Sequence, residues 1–225
     1  MRYGLLIAIE SELKAFLESG GEITEERVNN RTVYRTLIGS NEVFALCSGA
    51  GEIDAAAGTQ LLITKYDCGA VLNFGVTGAL DRSLKVEDLF VAEKAWHYDF
   101  DITAFGAAKV GQYEEYPDEF IPLDADLISL VTEKIPGIRK ISVASADKFV
   151  ENRETKLKLA ESGCGLCEME LAAIARVCER SGVKCLSIKC ISDAFDGTGA
   201  DFEKNVKHSA EKAFAAIREV LKALA

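Results

Sequence analysis

An α/β fold in which helices cover both faces of a sheet is what this 225-residue sequence predicts, on two observations. Short runs rich in aliphatic and β-branched residues alternate with segments whose apolar residues recur every three or four positions. Those short runs are apolar almost throughout, the pattern of strands buried on both sides rather than strands with one face in water. With 48% hydrophobic residues the chain can bury one sizeable core, and a single domain over residues 1–225 is the economical reading.

Taken in order, the apolar run Tyr3 to Ile9 reads as the first strand and gives way to Glu10, Ser11 and Glu12. Gly20-Gly21 reads as a turn, not a domain boundary. Strands follow over Thr32 to Ile38 and Glu42 to Ser48, then a helix from Asp54 to Tyr66 on its apolar spacing. Ala70 to Phe74 and Leu89 to Ala92 are further strands. Trp96 to Pro117 is the least regular stretch, holding Trp96, Tyr98, Phe100, Phe105, Tyr113 and Tyr116 without sustained periodicity. Long irregular segments in compact domains tend to be functional or to cover something. A helix over Asp124 to Lys134, a strand over Ile141 to Ser145, a helix over Met169 to Arg180 and a strand over Cys185 to Ile191 continue the alternation. The last helix, Phe202 to Ala225, carries Phe214, Ile217, Val220 and Leu221 as a buried stripe with charges opposite.

Lys plus Arg number 26 against 36 Asp plus Glu, a net charge of -10. That field disfavours nucleic acid and anionic membrane surfaces and leaves a small neutral or cationic ligand permitted. The Tyr3 to Ile9 run is short and lacks a small-residue cleavage pattern, and no uncharged segment approaches the roughly 20 residues of a membrane span. Seven cysteines, an odd number lying mostly inside apolar runs, suggest reduced, buried thiols. The expectation is a soluble, cytoplasmic protein.

Cys164-Gly165-Leu166-Cys167 is a lone CxxC. Zinc takes about four ligands, yet there is no second CxxC and His97 and His208 are the only histidines, so neither a metal site nor a redox pair is expected. Ser48-Gly49-Ala50-Gly51-Glu52 offers the first two glycines of a dinucleotide fingerprint, but Asp54 stands at the third. It reads as a tight strand-to-helix turn that lets a ligand approach the backbone, and Gly75-Val76-Thr77-Gly78 reads the same way. Three acids stand out. Glu12 follows the first strand, Glu170 opens a helix, and Asp193 follows the strand Cys185 to Ile191. Each is explained by capping or by the helix dipole, or together they converge on one crevice at the carboxyl ends of the strands.

These segments resemble the nucleoside phosphorylase and nucleosidase superfamily, and within it the methylthioadenosine/S-adenosylhomocysteine nucleosidases. The resemblance runs through Gly4 to Glu12, Ser48 to Gly51, Asn73 to Leu80, Asp101-Ile102-Thr103-Ala104-Phe105-Gly106, Ser145 to Val150, Glu168-Met169-Glu170 and Ser192-Asp193. It implies a nucleoside phosphorylase-like three-layer sandwich: a single domain with a central mixed β-sheet flanked by helices. It implies a homodimer with no metal or organic cofactor that hydrolyses the N-glycosidic bond of methylthioadenosine, S-adenosylhomocysteine or 5'-deoxyadenosine.

Carried over residue by residue, the resemblance makes Asp193 the proton donor to purine N7, with Ser192 beside it, and Glu12 the base that deprotonates water. Such roles suit a reaction that builds oxocarbenium character on ribose and negative charge on the departing base. Glu170 would accept hydrogen bonds from the ribose hydroxyls and Met169 would pack on the sugar face. Phe149 would stack on adenine while the Val150 backbone reads its Watson–Crick edge. Ile9, Ala50, Ile102 and Phe105 would line the 5'-substituent pocket, the last two reaching a partner subunit.

The chain departs from the family pattern at three positions. Val76 replaces a hydroxyl residue, Lys189 replaces Arg while keeping the charge, and Asn205 aligns with an aromatic of the segment that closes over the ligand. A phosphorylase remains one alternative, although neither glycine loop holds an Arg and Glu12 would repel phosphate. A non-catalytic nucleoside-binding protein is the other; retention of Glu12, Glu170 and Asp193 argues against it.

Overall fold

Strands that are apolar on both faces build the centre of the molecule, a computed structural model that describes residues 1–19 and 21–225. The first half runs β1 (Arg2–Ile7), α1 (Glu10–Leu17), β2 (Thr24–Val28), β3 (Arg31–Ile38), β4 (Asn41–Cys47), α2 (Glu52–Tyr66), β5 (Ala70–Ala79) and β6 (Leu89–His97). A 3₁₀ turn at Thr103–Phe105 leads to β7 (Phe120–Pro122), α3 (Ala125–Lys134), β8 (Arg139–Ser145), α4 (Arg153–Ala160), β9 (Leu166–Glu168), α5 (Leu171–Arg180), β10 (Lys184–Asp193) and α6 (Gly199–Ala223). The expected Gly20-Gly21 turn lies partly outside the described residues; Gly21 has φ 121°, a conformation that favours glycine.

The ten strands of the described residues join one mixed sheet. β1 lies between β4 and β5, parallel to both, and β10 pairs in parallel along the other edge of β5. From β10 the sheet turns: β6 pairs antiparallel to it, β8 follows β6, β9 follows β8, and β9 returns to the end of β5 at Gly78 and Ala79. Five strands therefore close a ring, which removes their free edges. The antiparallel strands β3 and β2 extend the other side beyond β4. Helices cover both faces. Val71 of β5 faces Leu62 of α2 across Gly4, while Phe74, an odd number of residues along, meets the Phe214 ring of α6 at 5.1 Å.

Because β1, β4, β5 and β10 are parallel, their carboxyl ends open on one side, the place where such sheets gather ligands. The sheet ends bring Ile7, Cys47, Val76 to Gly78 and Asp193 together there.

Four elements escape the sequence pattern. α1 and α4 have eight residues each, about two turns, too short for a 3.6-residue period to stand out. The buried residues of α4 are Lys156 and Leu159, so half of its inward face is written in a charged residue. β2 is exposed at all but Val28, and β7 has three residues. Other boundaries shift outward: β5 runs on to Ala79 and β6 to His97, with a register shift between Ala92 and Lys94. The irregular Trp96 to Pro117 segment is held by aromatic packing, Phe100 on Tyr113 at 4.4 Å and Arg176 of α5 over Tyr113 at 4.3 Å.

Candidate active site

Glu12 sits in the first turn of α1, and its carboxylate turns back to the chain that precedes the helix. Oε2 accepts from the amides of Ala8 and Ile9 at 3.1 and 3.2 Å, and Oε1 accepts from Val76 of β5 at 2.9 Å. The last contact requires Gly75, since a Cβ there would lie 2.5 Å from Oε1. Burial raises the proton affinity of Glu12 above the usual carboxylate range, against the lowering effect of Lys189 and these amides. Gly78 does for Asp193 what Gly75 does for Glu12: a Cβ there would lie 2.8 Å from Asp193 Oδ2. The glycines of Gly75-Val76-Thr77-Gly78 are thus explained by two carboxylates that approach one strand, not by a turn.

Asp193 ends β10 at a register irregularity. Its Oδ1 accepts from the Ser192 hydroxyl at 3.0 Å, and Oδ2 lies 3.4 Å from Lys156 Nζ. Burial raises its proton affinity, opposed by Lys156 and Ser192. Glu170, at the N-cap position of α5, accepts from the Gly51 amide at 2.9 Å, so the glycine turn after β4 is tied to the start of α5. Burial, then the charge of Glu168, pushes Glu170 up to about 7.

Glu168 accepts from the amides of Glu170 and Leu171 and from Lys189 Nζ at 2.9 Å. Burial pulls Lys189 toward neutrality, but Glu168, Glu170 and Glu12 outweigh it and hold the ammonium above its ordinary value. Behind them, Glu52 accepts from the Ser145 hydroxyl at 2.6 Å and the Ala173 amide, and burial pushes it up to about 9. It fastens α2 to α5 through the Ala173 amide.

One cavity of about 190 Å³ is lined by Ile9, Glu12, Ala50, Val76, Phe149, Met169, Glu170, Ser192 and Asp193 among its residues. Cavities of about 330 and 350 Å³ elsewhere are larger but open on exposed residues such as Arg82, Asp196 and Glu151. Size does not single out the first; the convergence of Glu12, Glu168, Glu170 and Asp193, all at most 8% exposed, does. Phe149 stands at the mouth, 48% exposed, edge-on to Phe202 of α6 at 5.7 Å.

Four expected site residues lie outside this lining. Lys189 stands behind Glu168 and reaches the cavity only through it. The Val150 side chain belongs to a small apolar cluster with Leu80, Phe120 and Ala144. Ile102, half-buried, precedes the 3₁₀ turn and Phe105, 92% exposed, ends it, and neither lines the cavity. Asn205 donates to the Ser192 carbonyl at 2.9 Å, and an aromatic at the mouth is Phe202, one helical turn earlier. The sequence reading does not select Phe202, Glu52, Glu168 or Lys156. Glu168 had a signal, its place beside Met169-Glu170, whereas Lys156 lies in a helix without apolar periodicity. Cys164 and Cys167 are free and buried, with thiols pushed up by burial to about 11 and about 12, unsuited to redox exchange near neutrality.

The chain matches the Phosphorylase superfamily over residues 2–222. It is 30% identical over 232 residues to the 5'-methylthioadenosine/S-adenosylhomocysteine nucleosidase of Shewanella piezotolerans, covering 98% of this chain and 100% of that one. The S-adenosylhomocysteine nucleosidase of Streptococcus pyogenes, solved in complex with 5-methylthiotubericidin, superposes with a TM-score of 0.91 at 26% identity over 100% of this chain and 98% of that one. The futalosine hydrolase of Helicobacter pylori superposes with a TM-score of 0.92 at 25% identity, covering 99% of this chain and 98% of that one.

Proposed function

The chain belongs to the phosphorylase superfamily, and on that footing we propose that it hydrolyses the bond between adenine and ribose in 5'-methylthioadenosine, S-adenosylhomocysteine or 5'-deoxyadenosine. The observation that carries this reading is the placing of two buried acids of raised proton affinity, Glu12 and Asp193, along one strand, with Glu170 beside them. Hydrolysis of an N-glycosidic bond needs a base for water and an acid for the departing purine. Glu12, fixed by three amides, serves as the base. Asp193 gives a proton to N7 as the bond to N9 breaks, and Ser192 holds it in place. Glu170 accepts from the ribose hydroxyls, Met169 lies against the sugar, and Phe149 with Phe202 encloses the base.

Water, not phosphate, is the nucleophile. The cavity is lined by four carboxylates and, among the described residues, by no Arg or Lys, so a phosphate dianion would meet repulsion without a compensating cation. A second copy of the chain completes the 5' end of the pocket with Ile102 and the exposed Phe105. Seven free thiols suit a reducing compartment, the cytoplasm, and no helix among the described residues is long and apolar enough to cross a membrane.

The test is incubation with 5'-methylthioadenosine, S-adenosylhomocysteine, 5'-deoxyadenosine and futalosine, each with and without phosphate, followed by separation of bases. Free adenine without phosphate is expected. Adenine only when phosphate is present, or no base from any of the four, overturns the proposal.

A further inference from the structure

The helix α2 begins after Gly51, a residue with no side chain to cap it and a φ of 103° that favours glycine. The acceptor for the first amide of the helix comes instead from 95 positions away, where Asp147 Oδ1 takes the Glu52 N–H at 2.7 Å. The approach is close enough that a Cβ on Gly51 would also lie 2.7 Å from that oxygen. Asp147 is exposed and stands in the loop after β8 that carries Phe149 to the cavity mouth. The start of this loop is fixed independently, since the Ala146 amide donates to the Glu168 carbonyl at 3.3 Å. An ordinary cap comes from the residue at the helix start, so capping alone leaves the origin of this distant acceptor unexplained.

The neighbouring amide of the same turn serves a different acid. Gly51 N–H donates to Glu170 Oε1 at 2.9 Å, and among the described residues it is the one hydrogen-bond donor to that carboxylate. Two consecutive N–H groups therefore join two acids from separate parts of the fold, one in the loop of Phe149 and one at the start of α5. We propose that Asp147 is a positioning residue that sets Glu170 for the ribose hydroxyls through the Gly51–Glu52 turn; this rests on the nucleosidase reading of the pocket. A carboxylate held at one oxygen by one backbone amide keeps its direction only as well as that backbone keeps its own. Glycine is the least constrained residue, so the turn must be fixed by its neighbours. The Ala55 amide holds it on the helix side, donating to the Gly51 carbonyl at 3.0 Å, and Asp147 holds it at Glu52. Without Asp147 the Glu52 N–H turns to water, the turn gains freedom, and Glu170 loses its alignment with the sugar while the apolar walls of the cavity stay.

The experiment measures affinity for two probes whose C–C link between base and sugar does not hydrolyse: 5'-methylthio-9-deazaadenosine and its 2',3'-dideoxy counterpart. Wild type is expected to bind the first at least about tenfold tighter, the ordinary size of a hydrogen bond to a charged acceptor. In Asp147→Ala that preference should fall to about threefold or less, while affinity for the dideoxy probe stays within about threefold, which also reports an intact pocket. Asp147→Asn keeps an acceptor oxygen at the same place and should retain the wild-type preference. Equal loss on both probes, as a cap that only stabilises α2 would give, overturns the role of Asp147. So does an Asp147→Ala protein with the wild-type preference, or an Asp147→Asn protein without it. Wild type that binds neither probe, or both alike, removes the nucleosidase reading of the pocket and this proposal with it.

Discussion

Two buried lysines mark the two ends of the cavity, and they keep different company. Lys189 lies among Glu168, Glu170 and Glu12, whereas Lys156 pairs with Asp193 and donates to the Ala194 carbonyl. One ammonium cannot neutralise three carboxylates, so at the first end burial keeps proton affinity high: Glu170 is pushed up to about 7 and Glu12 is raised. A raised proton affinity suits Glu12 as the acceptor of a proton from water. At the other end the ammonium of Lys156 meets the Asp193 carboxylate and opposes the rise in proton affinity that burial causes. The same two ingredients, a buried lysine and a carboxylate, thus occur at both ends, and at both the cation opposes a proton affinity that burial raises.

The strongest way to break this comparison is Lys189→Met. It leaves Glu168 buried without its cation, and breaking such a pair costs about 3–5 kcal/mol. The denaturation midpoint should fall sharply, and the double change Lys189→Met with Glu168→Gln should restore much of the loss. A single variant as stable as wild type would show that amide hydrogen bonds alone hold Glu168. Next in size, Glu12→Gln and Asp193→Asn should each lower the rate of adenine release by at least about 10²-fold, about 2.7 kcal/mol in the barrier. A near-normal rate for either would remove that residue from the mechanism.

Glu52 sharpens the comparison from behind the site. Its folded-state value of about 9 lies above that of the unfolded chain, so the folded state binds the extra proton. The stability it contributes is fully present below the unfolded carboxylate value and is lost as pH rises toward about 9. Between those limits wild-type stability should fall with pH more steeply than that of Glu52→Gln, by up to about 1.4 kcal/mol per pH unit. Parallel curves from denaturant unfolding across pH 5 to 8 would show Glu52 ionised in the fold. Smallest of all, Phe149→Leu should raise KM for 5'-methylthioadenosine severalfold, in line with about 0.5–1.5 kcal/mol for an aromatic contact, with kcat little changed. An unaltered KM would leave the base to Phe202.

The long buried elements were legible in the sequence because their periods are long enough to count: β1, β4 and β10 as apolar runs, α6 as a stripe that includes Phe214 and Ile217. α1 and α4 were not legible, yet they carry Glu12 and Lys156. Two turns of helix give little pattern, and a buried lysine reads in sequence like any exposed one. Among the site residues, Glu12, Glu170 and Asp193 were found through their neighbours in motif order. Their partners were not, because Lys156 and Asp193 are separated by 37 positions and Glu52 and Ala173 by 121.

By itself, then, the sequence determined the fold class and the family and singled out the acids as candidates, since these readings depend on local period and on short motifs legible in one dimension. Tertiary structure alone decided what each acid is. A ring of five strands brings Gly75 and Gly78 against Glu12 and Asp193, sets Lys189 among three carboxylates and Lys156 beside one, and leaves Phe105 facing outward. Proton affinity follows from burial and from charges within a few ångströms, and those distances exist only once strands far apart in the chain have paired.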